Sequence, residues 1–339
     1  MRAPVLVSIL VMGSGAWSPA PATACSSATC SLVGRADEGR LGPGRFRLEL
    51  SFRHVRQGRR LYGAHALEVW GASDPPVLRP RVDYELERLI QGYHQEYFAR
   101  TEATQVDLSY GLTTRAVVVV SLPIVTHVIN HFHVAAAGAT TGPHLGEPGG
   151  RLDFETGGLG DAQVTLRYAL PAGFGAGAAL KLATGGDARL DENGTIADPM
   201  SQPGSGALAL VGTLQYGAAP PVLGVTWGAS ASFEHPLANG RGYRFGDEAF
   251  LAATATRSVK GALAATLQLK ASQSARNTYR GTPSTSTGST ALYVSPGLRT
   301  RIPGRLALFG NVQVPVYQRV NEGQLGVDVV LQVGVSRTF

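Results

Sequence analysis

The chain has 339 residues and a formal net charge of +6, with 44% hydrophobic residues, only 16% charged residues and 43 glycines. Soluble domains carry about 25% charged residues, and disorder needs low hydrophobicity with high net charge, so the composition fits neither class. Past the N-terminus the longest nearly apolar run, Ala116–Val125, falls far short of the ~20 residues a spanning helix needs, which excludes a helical membrane protein.

Residues 1–24 begin with Arg2, pass through the apolar stretch Val5–Met12 and close on Ala22-Thr-Ala24, the pattern of a cleaved secretory signal peptide. The mature chain is then expected to start at Cys25. A leading cysteine suits a lipoprotein, although Ala22 stands where a lipobox carries Leu; the other reading is a small Cys25–Cys30 disulfide loop in an oxidising compartment. Residues 25–43 are expected to form a periplasmic N-terminal segment able to touch a partner there.

From Phe46 onward the pattern has period two, the mark of strands with one apolar face. Phe46, Leu48, Leu50 and Phe52 alternate with Arg, Glu and Ser; Val106–Leu112 and Val118–Ile124 repeat the pattern. It recurs in Ala162–Leu170, Ala176–Leu182, Leu208–Tyr216 and Val225–Phe233, more weakly near 249–258, in Leu263–Leu269, weakly near 290–301, in Leu306–Val314 and in Leu325–Phe339. The short connections Thr113–Arg115, Pro171–Phe174, Gly217–Pro221, Val259–Gly261 and Pro303–Arg305 alternate with longer ones near 56–100, 129–157, 185–205, 235–247, 272–288 and 317–323.

Short turns on one side and long loops on the other, joining about twelve strands of ~10 residues, predict an all-β fold: a transmembrane antiparallel up-and-down β-barrel over residues 44–339. An even strand number places both termini on one side, the periplasm, with the long loops extracellular. Phe339, preceded by alternating apolar positions, is the kind of C-terminal signal that barrel-assembly machinery reads. Outer-membrane lipids are the expected surroundings, and the scattered arginines leave no basic stripe for nucleic acid. The long first loop, 56–100, is expected to fold inward, with Asp83–Ile90 spaced as a short plugging helix. The Ser-rich stretch Ser284–Ser289 reads as a mobile loop tip.

The segment Asp107–Leu170 resembles the outer-membrane proteins grouped under the putative MetA pathway of phenol degradation. The residues that carry this are Asp107-Leu-Ser-Tyr-Gly-Leu112, a turn ending in Arg115, the strand Val119–Ile124 with its Leu-Pro, and Gly158-Leu-Gly-Asp161 opening Ala162–Tyr168. The resemblance implies a barrel that moves a small, often hydrophobic, solute, and it transfers no binding residue.

His127, His131 and His133 share parity at the end of one strand, on the face opposite Leu122 and Ile124, and His94 lies in the long first loop with Glu96 on the same side. Neutral imidazoles there are candidate ligands for a divalent transition metal, Zn, Cu or Ni; the other reading is ordinary polar lumen. Gly157-Gly-Leu-Gly-Asp161 precedes a strand and lacks Lys-Ser/Thr, so it is not a phosphate loop. Gly158, Gly160 and Asp161 are instead expected to shape the turn into a strand. Asp187, Asp191, Glu192 and Asp198 match no EF-hand spacing, and no G-x-S-x-G elbow supports an enzyme. The reading is a passive channel for a small solute that requires no cofactor, with a metal-binding surface barrel and an anchoring barrel as alternatives.

Overall fold

The structure, a computed structural model, describes residues 41–67, 78–84, 88–133, 151–191, 194–217 and 224–339. The first segment runs β1 (Phe46–Tyr62), β2 (His65–Ala66), β3 (Leu78–Asp83), β4 (Arg88–Gly111) and β5 (Ala116–His133). Next come β6 (Arg151–Leu159), β7 (Gln163–Ala169), β8 (Phe174–Lys181), β9 (Ala209–Gly217) and β10 (Val225–Pro236). Then follow β11 (Tyr243–Arg244), β12 (Glu248–Lys260), β13 (Leu263–Ser274), β14 (Thr278–Tyr279), β15 (Thr282–Pro283), β16 (Ser289–Ile302), β17 (Leu306–Val320) and β18 (Gly323–Thr338). Two 3₁₀ turns, Pro171–Gly173 and Pro199–Ser201, are the helical elements among the described residues.

Antiparallel pairing runs round a ring in which β6 and β7 together form one interrupted wall strand, giving a closed 12-strand barrel. The seam between first and last strands is paired from Arg47↔Thr338 to Tyr62↔Gly323, which closes the ring. This matters because an unpaired backbone amide has no partner in hydrocarbon.

Alternation along each strand sorts the side chains. Phe52, Leu108, Leu122, Leu214 (63% exposed), Leu267, Leu298 and Val333 (55% exposed) lie on the outer surface, while Ser51, Ala103, Val119, Val211 and Ser295 are buried on the inner one. A contiguous outer band of this size has no aqueous explanation; it is the lipid-facing surface of a membrane barrel. Among the described residues the interior carries small apolar clusters, such as Val55, Ala291, Tyr293, Val327 and Val330, rather than one large core. At the short-turn end the start of β1 meets the end of the chain: Phe46 and Phe339 stack with centroids 4.6 Å apart, and the Phe339 amide donates to the Phe46 carbonyl at 2.9 Å. Gly111 is required there, since a Cβ would sit 2.1 Å from the Gly42 carbonyl oxygen.

The structure corrects several boundaries. The first connection is not a loop over 56–100, because β1 continues to Tyr62 and β4 begins at Arg88. A short helix over Asp83–Ile90 does not form; Leu78–Asp83 pairs antiparallel with Arg88–Tyr93 as a β-hairpin. The connection expected near 317–323 is a tight turn at Asn321-Glu322, with Glu322 at φ 54. Both weakly patterned strands exist, as β12 and β16. At 24 residues β4 far exceeds the ~9–11 that cross a bilayer, so its first half, with β3, β6 and the upper part of β5, stands beyond the membrane at the long-loop end. The signal segment, residues 25–40 and the pair Cys25 and Cys30 lie outside the described residues.

Candidate transport path

Inward-facing positions collect charge where the long-loop ends of β8, β10 and β12 meet. Lys181 from β8 donates to Glu234 from β10, and both are almost fully buried. Glu248 at the start of β12 lies within electrostatic reach of both, and of Lys270 and Arg53. Arg53 comes from β1, on the opposite wall, and also interacts with Tyr293 and His127. Opposite charges therefore face each other across the lumen. A pair buried this way holds its geometry because losing one partner strands the other. Below it, smaller polar pairs line the wall, including Gln268 donating to Thr254 at 3.1 Å and Asn311 donating to Gln332 at 3.3 Å. The inner wall here is polar and carries a lattice of three cationic and two anionic side chains.

Above this lattice sits an aromatic cap. Tyr243 and Tyr279, each 2% exposed, face each other in the small sheet β11–β14–β15, with Tyr84, Leu89 and Phe245 packed against them. Tyr84 meets Tyr279 edge-on at 6.0 Å, and the Arg241 guanidinium lies over the Tyr84 ring at 5.5 Å while donating to Asp187 at 2.6 Å. Asn277 donates to the Tyr243 hydroxyl at 2.7 Å and accepts from the Gly246 amide at 2.9 Å. Tyr84 tips the β3–β4 hairpin, which leaves the second wall strand; Tyr243 and Tyr279 belong to loops leaving the far side of the ring. The hairpin thus spans the mouth. Burial and the nearby Asp198 carboxylate push the Tyr84 phenol above its ordinary range, against a smaller opposing pull from Arg241.

The third feature is a break in the wall. Between β6 and β7 the chain bends at Gly160-Asp161-Ala162, and among the described strands β6 pairs with β5 alone. Its other edge faces loop 182–208, reached through the Gly186 amide to the Leu159 carbonyl at 3.2 Å and Thr156 donating to the Ser201 carbonyl. Asp161, 3% exposed, ties this loop down: it accepts from the Gly185 amide at 2.9 Å, the Ser205 amide at 2.8 Å and the Ser205 hydroxyl at 2.5 Å. Gly160 is packed so closely that a Cβ would meet Pro123 Cγ at 3.0 Å and the Pro203 carbonyl at 3.1 Å. Gly158 has φ +153 and faces Arg189.

The sequence-predicted histidines divide. His127 is buried and shares a 2.9 Å hydrogen bond with Thr101 through Nδ1. Register places His94 opposite His133 and Glu96 opposite His131, four to six positions further along β5, so His127 is not part of that group. The loop acids are used locally: Asp191 accepts from the Thr195 amide and hydroxyl, Asp198 caps the Met200 amide, and Asp187 holds Arg241. Ser284–Ser289 is not a mobile tip but a buried strap. Ser286 and Ser289 are fully buried, Thr287 donates to the Ser284 carbonyl at 2.7 Å and its own carbonyl accepts from Asn321 at 2.6 Å. Sequence reasoning missed the cap tyrosines and the Lys181–Glu234 pair. The available signal was a lone tyrosine, Tyr243 or Tyr279, in each of the two polar connections 235–247 and 272–288; Tyr84 had no such mark among the several tyrosines of 56–100.

No protein-family model matches the chain, and no curated protein does. Among solved structures it is similar to the COG4313 outer membrane channel from Pseudomonas putida F1, at 13% identity and a TM-score of 0.58, covering 91% of this chain and 100% of that one. It is also similar to the Ralstonia pickettii toluene transporter TbuX, at 13% identity, a TM-score of 0.42 and coverage of 88% and 90%. The P. putida toluene transporter TodX is similar at 9% identity, with a TM-score of 0.42 and coverage of 88% and 90%. The first likeness shows the shared outer-membrane barrel fold.

Proposed function

We propose that the protein is an outer-membrane channel, not an enzyme, that passes a small hydrophobic solute passively from the outside inward. The carrying observation is the aromatic cap: a dry cluster of Tyr84, Tyr243, Tyr279 and Phe245 placed over an otherwise polar, charge-lined lumen. Polar solutes need no such cluster, whereas a small apolar or aromatic molecule gains from it by desolvation and ring contacts. The long-loop end faces outward, both described chain ends lie toward the periplasm, and Phe339 serves the assembly machinery. The fold shared with an outer membrane channel supports this reading, as does the resemblance of Asp107–Leu170 to the MetA-pathway proteins. The test is uptake of a labelled monoaromatic hydrocarbon and of a sugar of similar mass by cells with and without the barrel. Faster hydrocarbon uptake with unchanged sugar uptake is expected; the reverse preference would overturn the solute class.

A second reading, capture of a divalent transition metal at the rim, is supported by register, which sets His94 against His133 and Glu96 against His131. Directly opposed positions have Cβ atoms about 5 Å apart, a span one metal ion can bridge. Titration with Zn²⁺ is expected to show one site per barrel that His131→Ala with His133→Ala removes; equal binding by the double variant would exclude it.

A further inference from the structure

The outer face of β1, β4 and β18 changes character abruptly above the apolar band. Phe52 and Leu331 are its last large members there. Two residues on, His54 meets Glu102 at 3.2 Å, and four residues on, Arg56 reaches Asp328 at 3.6 Å with its own side chain 60% exposed. At about 3.3 Å per residue and a strand tilt near 40°, Arg56 stands roughly 10 Å above Phe52 along the membrane normal. That is the height of lipid headgroups.

Register sets Arg56 directly opposite Arg100. Like charges opposed across a ladder are destabilising, with Cβ atoms about 5 Å apart, so this arrangement calls for an anion. Arg100 Nε is buried without a hydrogen-bond partner, its nearest carboxylate oxygen, on Glu102, being 3.6 Å away. Register shifts between Arg56 and Gln57 and between Gln57 and Arg59 open the ladder here. The result is a groove of about 610 Å³ lined by Arg56, Gly58, Arg59, Asp328 and Val329. Arg56 and Arg59 line it with Asp328, while Arg100 opposes Arg56 from β4 beside Glu102; a planar fork that binds phosphate bidentately is what arginine supplies and lysine does not. Arg56 also lies over the Phe98 ring at 5.9 Å, which holds its stem against the wall.

We propose that this groove seats a phosphate of the glycolipid that fills the outer leaflet, its acyl chains lying down the apolar face past Phe52 and Leu331. The bound lipid balances the Arg56–Arg100 opposition and anchors the barrel at its outer end. The proposal rests on the outward orientation of the long-loop end given above.

The experiment is native mass spectrometry and heat-unfolding of the full-length barrel in detergent, titrated separately with bis-phosphorylated lipid A, its dephosphorylated form, phosphatidylglycerol and inorganic phosphate. Wild type is expected to retain one phosphorylated glycolipid and unfold at a higher temperature with it. The triple variant Arg56→Gln, Arg59→Gln, Arg100→Gln is expected to lose affinity at least tenfold, while Arg257→Gln, Arg301→Gln, Arg305→Gln, which removes equal charge at the other end, keeps it. The triple Arg→Lys variant should be intermediate, which separates guanidinium geometry from charge and from misfolding. Equal binding by the Gln variant or by dephosphorylated lipid would overturn the site. An equal shift with inorganic phosphate would make it a soluble-anion site, and equal affinity for phosphatidylglycerol would remove the outer-leaflet assignment; both contradict the proposal. Since binding is read in detergent, a failed uptake assay leaves this result standing, and absent lipid binding leaves uptake untouched.

Discussion

Asp161 shows how one side chain can hold a wall closed. Its carboxylate accepts from two amides and from the Ser205 hydroxyl where β6 and β7 part. Hydrogen bonds to a charged group contribute about 1.5–3 kcal/mol each and do not add fully, so Asp161→Ala is expected to cost roughly 3 kcal/mol and loosen loop 182–208. Limited proteolysis of the refolded barrel would show faster cutting in that loop; unchanged resistance would mean that Gly160 and Gly185 packing alone suffices. Tyr84 gives a pH dependence of definite sign. Its phenol is raised by burial, so the fold favours the protonated form. The stability this contributes is complete below the ordinary tyrosine value of about 10 and is lost as pH rises through the higher folded value. Ultraviolet titration of Tyr84→Phe should lose one late-ionising phenol relative to wild type; loss of a phenol from the ordinary range instead would place Tyr84 in water.

At the scale of elements, what could be read from sequence was the portion of each strand that faces lipid. There one face must be apolar, so the period of two is imposed by the solvent, and Phe46–Phe52, Val106–Leu112 and Val118–Ile124 were legible. Above the bilayer both faces of a strand meet water or other loops, and the pattern fades: Arg56–Tyr62 and Arg88–Gln105 are strand in the structure without reading as strand. The apolar spacing in Asp83–Ile90 that suggested a helix reflects a hairpin tip with Tyr84 and Leu89 packed on the far loops. The Ser-rich strap misled because hydroxyls satisfied by neighbours, as at Thr287, can be buried as readily as solvated. The division of β4 is testable by hydrogen exchange in micelles: amides of Arg88–Phe98 are expected to exchange faster than those of Val106–Gly111. Uniform protection along β4 would place the whole strand in the membrane.

For the molecule as a whole, closure, band and the short turns followed from the bilayer, whereas the lengths of the first and last long-side connections, the cap and the charge lattice did not. Both arise from loops and strands distant in sequence, and Arg53 comes within electrostatic reach of Glu248 only because the sheet curls shut. The candidate metal ligands illustrate the same limit: parity grouped His127 with His131 and His133, but the paired strand separates it and gives it Thr101. Orientation can be checked with single cysteines in a chain whose Cys25 and Cys30 are replaced. Ala66→Cys, at the long-loop end, should react with an impermeant maleimide on intact cells, and Thr114→Cys, in a short turn, only after lysis. The opposite result would invert the barrel.

The most direct test of a capped polar lumen is single-channel conductance in planar bilayers, comparing wild type with Tyr84→Ala. A small, intermittent wild-type conductance that becomes several-fold larger and steady in the variant, with β-content unchanged by circular dichroism, is the expected result. Equal conductance in both would show that the aromatic cluster does not close the mouth, and with it the proposed route for an apolar solute would fall.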